Sequence, residues 1–157
     1  MLYRSPDPLP PAFQRPSVFI AGGISDCPDW QAEMVGMLDH DRNDVVNPRR
    51  IGGFDKTGAT AREQITWEHH ALSMVDSCIF WFPRETLCPI TLFELGKMLE
   101  KTMETSGMTL AVGWHPEYAR AFDLEVQIPL ATTLPYRLVH SGPGWHELCT
   151  AARRIWG

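Results

Sequence analysis

Glu94 stands between Phe93 and Leu95 in the run FWFPRETLCPITLFELG (Phe80 to Gly96), where aromatics close one segment, a proline-bounded stretch follows and a helical pattern opens. An acid with apolar neighbours on both sides is unlike a solvated surface glutamate, and its chemistry would be that of a nucleophile or a proton carrier. The alternatives are a partner for a helix N-terminus and an acid on the polar side of an amphipathic helix. Upstream, TWEHHALSMVD (Thr66 to Asp76) supplies Glu68, eight residues before Asp76 on a helical pattern. Two carboxyls held in different environments can divide acid–base and nucleophilic work between them. His69 and His70 are adjacent, so on a helix they point about 100° apart and do not chelate one ion as i, i+4 histidines do. No metal and no other cofactor is expected.

A second group is AGGIS, Ala21 to Ser25. Gly22, Gly23 and Ile24 leave an apolar strand just before a helix opens, so backbone N–H groups there can meet a phosphate or a sugar hydroxyl. A plain tight turn accounts for the glycines equally well, and the run is neither G-x-G-x-x-G nor a P-loop. Trp81 and Phe82, with Trp30, offer a flat apolar wall for a ligand or else belong to the core.

The elements that must position these residues are legible as alternating patterns. SVFIAG (Ser17 to Gly22), DVVNP (Asp44 to Pro48), SCIFWFP (Ser77 to Pro83), MTLAVG (Met108 to Gly113) and YRLVH (Tyr136 to His140) are short apolar or β-branched runs. Each is closed by glycine or proline or passes into a helical pattern, as buried strands are. Helices are expected between them: one capped by Ser25 or Asp26 with Pro28 in its first turn, then about Ala61 to Met74, Ile90 to Glu104, Pro116 to Val126 and Trp145 to Trp156. Ile51 to Thr60 reads as a glycine-rich loop. Strand and helix alternating five times without a hairpin signal predict a single-domain, doubly wound α/β fold. Its parallel sheet would have five strands in the order 2-1-3-4-5, with the pocket above the first and third. The loops over the carboxyl ends of those strands are Gly22 to Asp29, Asn47 to Thr60, Phe82 to Thr91 and Gly113 to Tyr118.

Composition sets the outer bounds. The chain has 157 residues, 44% of them apolar and 21% charged, which suits one folded domain rather than a disordered segment. A net charge of -5 and only two basic doublets, Arg49-Arg50 and Arg153-Arg154, exclude a partner held mainly through phosphate neutralisation, so no nucleic-acid polymer is expected. Cys27, Cys78, Cys88 and Cys149 are widely spaced and read as reduced thiols. Residues 1–16 hold five prolines and no apolar run, and form an extended arm ahead of a domain over 17–157. Neither a signal peptide nor a membrane span is discernible, which makes the cytoplasm the default location.

Taken together, VFIAGGI, DWQ (Asp29 to Gln31), NPRR (Asn47 to Arg50), WEHHAL, the Val75-Asp76 pair, FWFP, ETLCPITLFELGK (Glu85 to Lys97) and VGWHPEY (Val112 to Tyr118) resemble the nucleoside 2-deoxyribosyltransferase-like family over about Val18 to Gln127. The resemblance implies a flavodoxin-like fold and a homo-oligomer that takes a nucleoside or nucleotide and a free nucleobase. It also implies cleavage of an N-glycosidic bond with transfer of the deoxyribosyl group to another base or to water. Glu94 matches the family's glutamate nucleophile and Glu68 the position of its acid–base aspartate, with Gly22, Gly23, Ile24, Gln31, Trp81, Phe82 and Cys88 as substrate-binding residues. Two positions depart from the family. Cys88 stands where a base-recognising aspartate precedes the nucleophile by six residues, and Ala21-Gly22-Gly23 lacks the tyrosine usual at the end of the first strand. In such chemistry a carboxylate stabilises and then bonds to C1′ while a second acid, its pKa raised by burial, protonates the departing base.

Overall fold

A computed structural model describes residues 1–52, 58–104, 107–132 and 138–157. Its elements follow the expected alternation: β2 (Ser17–Gly22), α1 (Trp30–Met37), β3 (Asp44–Asn47), α2 (Gly58–Met74), β4 (Ser77–Phe82), α3 (Pro89–Glu104), β5 (Thr109–Trp114), α4 (Ala121–Ala131), β6 (Leu138–Pro143) and α5 (Trp145–Trp156). A further strand, β1 (Leu2–Arg4), comes first. The sheet is parallel throughout, in the order β1-β3-β2-β4-β5-β6. Its last five members keep the expected order, and the difference is the sixth strand at the edge. Leu2, Tyr3 and Arg4 precede the prolines of the arm, so their backbone can pair with Val45, Val46 and Asn47 without meeting a missing N–H. No described helix is long and apolar enough to cross a membrane.

Three helix starts differ from the sequence reading, and the start of one expected strand lies outside the described residues. Asp29, rather than Ser25 or Asp26, caps α1: its Oδ1 accepts from the Ala32 N–H at 3.0 Å, while Asp26 takes a left-handed φ of 60° in the turn before it. Helix α2 already begins at Gly58, inside the segment read as loop, and residues 53–57 of that loop lie outside the described residues. Helix α4 begins at Ala121, because the His115 N–H donates to the Phe82 carbonyl and the Tyr118 N–H to His115, tying residues 115–118 into turns. Strand β6 starts at Leu138; Tyr136 and Arg137 belong to the undescribed residues 133–137.

Alternation along the strands sorts the core into two layers. Phe19, Ala21, Val46, Phe80, Phe82 and Val112 face α2, α3 and α4. Val18, Ile20, Val45, Ile79, Trp81 and Ala111 face α1 and α5. Strands β2 and β4 are buried along their whole length, as an all-parallel sheet covered on both faces requires. Chain direction reverses its lateral travel at β2, which has β3 on one side and β4 on the other, so the loops leaving β2 and β4 diverge and open a crevice between them.

At the end of β2 the chain has no room for a side chain. A Cβ on Gly22 would run into the Trp81 carbonyl and the Trp30 ring. Gly22→Ala is therefore expected to destabilise the fold by about 1–3 kcal/mol, the usual cost of overpacking a filled interior, read as a lower urea midpoint at unchanged slope.

Candidate functional site

The crevice is a cavity of about 420 Å³, a size suited to a small-molecule ligand. Its walls come from four places: Ala21 to Asp26 after β2, Pro48 after β3, Ala61 to Glu68 of α2, and Thr86 to Glu94 from the loop after β4 and the first turns of α3. Glu68 and Glu94 are brought together here, from different helices. Glu94 is the sixth residue of α3 and Glu68 the eleventh of α2, yet both reach the cavity because it extends down between the two helices.

Burial pushes the Glu94 carboxyl up to about 8, with the charge of Glu68 adding and Lys97 opposing. Burial raises Glu68 too, opposed by a hydrogen bond from Gln64 and by the charge of Arg50. The sequence reading gives a raised pKa to the acid, Glu68; in the structure both carboxyls are raised, with desolvation the first cause for each. Desolvation and like charge together favour a proton on one of the two over ionisation of both.

Gln64 fixes the setting of Glu68. Its Nε2 donates to Glu68 Oε1 at 2.8 Å and to the Pro48 carbonyl at 2.8 Å. Its Oε1 accepts from Ser5 Oγ at 2.6 Å and from Arg50 Nε at 2.6 Å. Gln64 lies one helical turn before Glu68, and that i, i+4 spacing was the available sequence signal for a residue that the motif reading passed over. Asp26, Thr86 and Thr91 also line the cavity and were likewise not singled out.

Gly22, Gly23, Ile24 and Cys88 all line the cavity. Gly23 is pressed from the other side: a Cβ there would lie 2.8 Å from both Pro83 Cγ and Thr86 Cγ2 and 3.1 Å from Cys88 Sγ. Cys88 has a left-handed φ of 47° just before α3 and contacts the Thr86 carbonyl at 3.5 Å. Burial pushes its thiol up to about 12, with Cys27 adding and the Thr86 contact opposing, so it serves as an apolar wall rather than a nucleophile.

Gln31, Trp81 and Phe82 are elsewhere. Gln31 is fully buried behind the loop, donating to the Gly23 carbonyl at 3.2 Å and accepting from Arg49 Nη1 at 3.0 Å. It braces the wall without facing the cavity. Strand alternation sends Trp81 to the opposite face of the sheet, where it meets Trp145 edge-on at 5.1 Å and helps line a separate cleft of about 190 Å³. Phe82 points to the correct face but is sealed in the core against Tyr118, with ring centroids 5.3 Å apart. The loop from Gly113 to Tyr118 stays outside the cavity and acts on it indirectly, through the Tyr118 hydroxyl that donates to the Leu87 carbonyl at 2.8 Å.

The three arginines nearest the loops are occupied. Arg49 bonds the Pro28 and Cys27 carbonyls and Gln31, Arg50 bonds Gln64 and Glu63, and Arg84 pairs with Glu85 and Glu117. The described lining contains Asp26, Glu68 and Glu94 and no lysine or arginine.

No curated protein matches the chain significantly. The family model described as nucleoside 2-deoxyribosyltransferase like does match, over residues 15–108, a span that contains β2 through α3 and every wall of the cavity. With more than half of its length matched, and with the cavity inside the matched half, the chain belongs to the nucleoside 2-deoxyribosyltransferase-like family.

Proposed function

We propose that the protein cleaves the N-glycosidic bond of an unphosphorylated 2′-deoxynucleoside and transfers the deoxyribosyl group to another nucleobase through a Glu94-bound intermediate. The observation that carries this reading is the pair of desolvated carboxyls, Glu68 and Glu94, in one cavity of nucleoside size.

The pair has the chemistry for both half-reactions. Positive charge developing at C1′ favours the ionised form of the carboxyl beneath it, so the shared proton moves to Glu68 as Glu94 becomes the anion. The C1′–N bond then breaks with its electron pair going to the base nitrogen, which takes the proton from Glu68, while Glu94 Oε bonds to C1′. In the second half Glu68 accepts the N–H proton of the incoming base, whose nitrogen attacks C1′ and releases the Glu94 carboxylate. Water in the same place would give hydrolysis.

The same proposal has a second copy of the chain covering the cavity. Ile65 and Ile90 at its mouth are 63% and 62% exposed and Phe93 beside them is 68% exposed, an apolar set more usual under a partner than in water. Light scattering should give a mass above one chain, and Phe93→Asp should lower it.

Mixing one deoxynucleoside with a different free base should yield the exchanged nucleoside, whereas release of base without exchange would shift the assignment to hydrolysis. Glu94→Gln removes the anion but keeps size, so kcat should fall by at least ~10³-fold with nucleoside binding largely kept. A deoxyribosyl adduct on the peptide containing Glu94 should accumulate when wild type is quenched without acceptor. Full activity in Glu94→Gln, or an adduct on another residue, would refute the nucleophile assignment.

Two pH effects have a definite sign. Turnover should fall as pH rises through about 8, where the shared proton leaves the Glu94–Glu68 pair and no acid remains. Stability should fall earlier, from the ordinary carboxyl value up to about 8, and level off above it. Glu94 binds its proton more tightly folded than unfolded, so the folded state gives it up only on approaching about 8, while the unfolded chain gives it up near the ordinary carboxyl value. Glu94→Gln should flatten that decline and raise Tm above wild type in alkaline buffer.

A further inference from the structure

We propose that Gln64 is a positioning residue for Glu68, and that Ser5 of the N-terminal arm, together with Arg50, locks it in that role. The inference rests on the reading of Glu68 as the proton carrier. A glutamine amide has two N–H donors and one oxygen with two lone pairs, and in Gln64 all four are used: Glu68 and the Pro48 carbonyl take the donors, Ser5 and Arg50 supply the oxygen. Turning the amide over would set its oxygen against the Pro48 carbonyl and the Glu68 carboxylate, and its NH2 against the Arg50 guanidinium. One orientation is therefore imposed, and in it an N–H is aimed at Glu68.

The lock is buried and anchored far from the cavity. Gln64 and Ser5 are each 2% exposed. The Ser5 N–H donates to the Asn47 carbonyl at 3.1 Å, directly after β1 pairs Arg4 with Asn47. Arg50, its side chain 10% exposed, is itself gripped by Glu63 at 2.6 Å. The extra edge strand thus has a consequence at the site: it carries Ser5 to the one side chain that touches Glu68 by a direct hydrogen bond among the described contacts.

Charged groups face Glu68 from each element around it. They are Glu94 on α3, Arg50 after β3 and Asp26 after β2, while Gln64 supplies the N–H from the same helix. Glu94 favours the protonated form of Glu68, and Arg50 and the Gln64 N–H favour its carboxylate. Removing the N–H tips that balance toward the acid, and lets the carboxyl swing.

The test is a titration of side-chain 13C-carboxyl signals in the full chain, with Glu68 assigned by its loss in Glu68→Gln. Gln64→Met removes the donor at similar size, Gln64→Glu keeps the Ser5 and Arg50 contacts but puts an acid against Glu68, and Ser5→Ala loosens the lock while leaving Gln64 in place. The Glu68 midpoint should move to higher pH in all three, least in Ser5→Ala. In the Gln64 variants kcat at neutral pH should fall about 10²-fold with KM changed far less, as for loss of alignment rather than of binding. An unmoved Glu68 midpoint in folded Gln64→Met and Ser5→Ala would overturn the inference even if kcat fell. A midpoint that moves as expected in a protein with no turnover of any deoxynucleoside would instead uphold the lock and reject the reaction assigned to the pair.

Discussion

Two carboxyls share one desolvated cavity, and most of the surrounding structure can be understood as the means of keeping them there. Desolvation alone would protonate both, and like charge alone would drive them apart or protonate one. Glu94 receives little relief, with Lys97 opposing its shift from the solvent side, whereas Glu68 is given an N–H from Gln64 and the charge of Arg50. The asymmetry gives the two carboxyls unequal affinity for a proton, which suits a reaction that must begin with an acid and a nucleophile and exchange those roles midway. It is costly to folding, and the cost is borne by a sheet whose central strands are buried end to end.

The walls of the cavity show the same economy of space. Gly22 is closed in by Trp30 and Trp81 from the opposite face of the sheet, and Gly23 by Pro83, Thr86 and Cys88 from the loop after β4. Trp30 Nε1 and Gln31 Nε2 both donate to the Gly23 carbonyl, at 2.9 and 3.2 Å, and Arg49 reaches across to hold Gln31. The AGGIS run is thus braced by Trp30, Gln31 and Arg49 from outside the cavity and by Thr86 and Cys88, which line it. Neither Gly22 nor Gly23 has a positive φ; they line the cavity, and close packing that leaves no room for a Cβ accounts for the residue type.

Cys88 acquires a physical sense in this setting. The family pattern has an aspartate there, but the cavity already carries Asp26, Glu68 and Glu94 without a lysine or arginine in its described lining. A thiol held protonated by burial adds no further negative charge to the cavity and gives it an apolar surface there.

From the sequence by itself came the periodicities, and with them the parallel sheet, the order of its five main strands and the loops over their carboxyl ends, because apolar alternation and proline or glycine punctuation are local properties of the chain. Glu94 stood out for a local reason also, its apolar neighbours. What only the tertiary structure decided depends on which side of an element a residue faces and on which distant segment meets it. Trp81 and Phe82 are adjacent in sequence at a strand end, yet one faces a different cleft and the other the sealed core, since a one-residue step reverses the side. Glu68 required the tilt and depth of α2 against α3 to become a neighbour of Glu94. The arm, whose prolines argued only against regular structure, begins with three residues that can pair at an edge, and so brings Ser5 to Gln64 across 59 positions of chain. Contacts of that separation leave no periodic trace in sequence, because they are set by the packing of the completed sheet rather than by any segment's own preference.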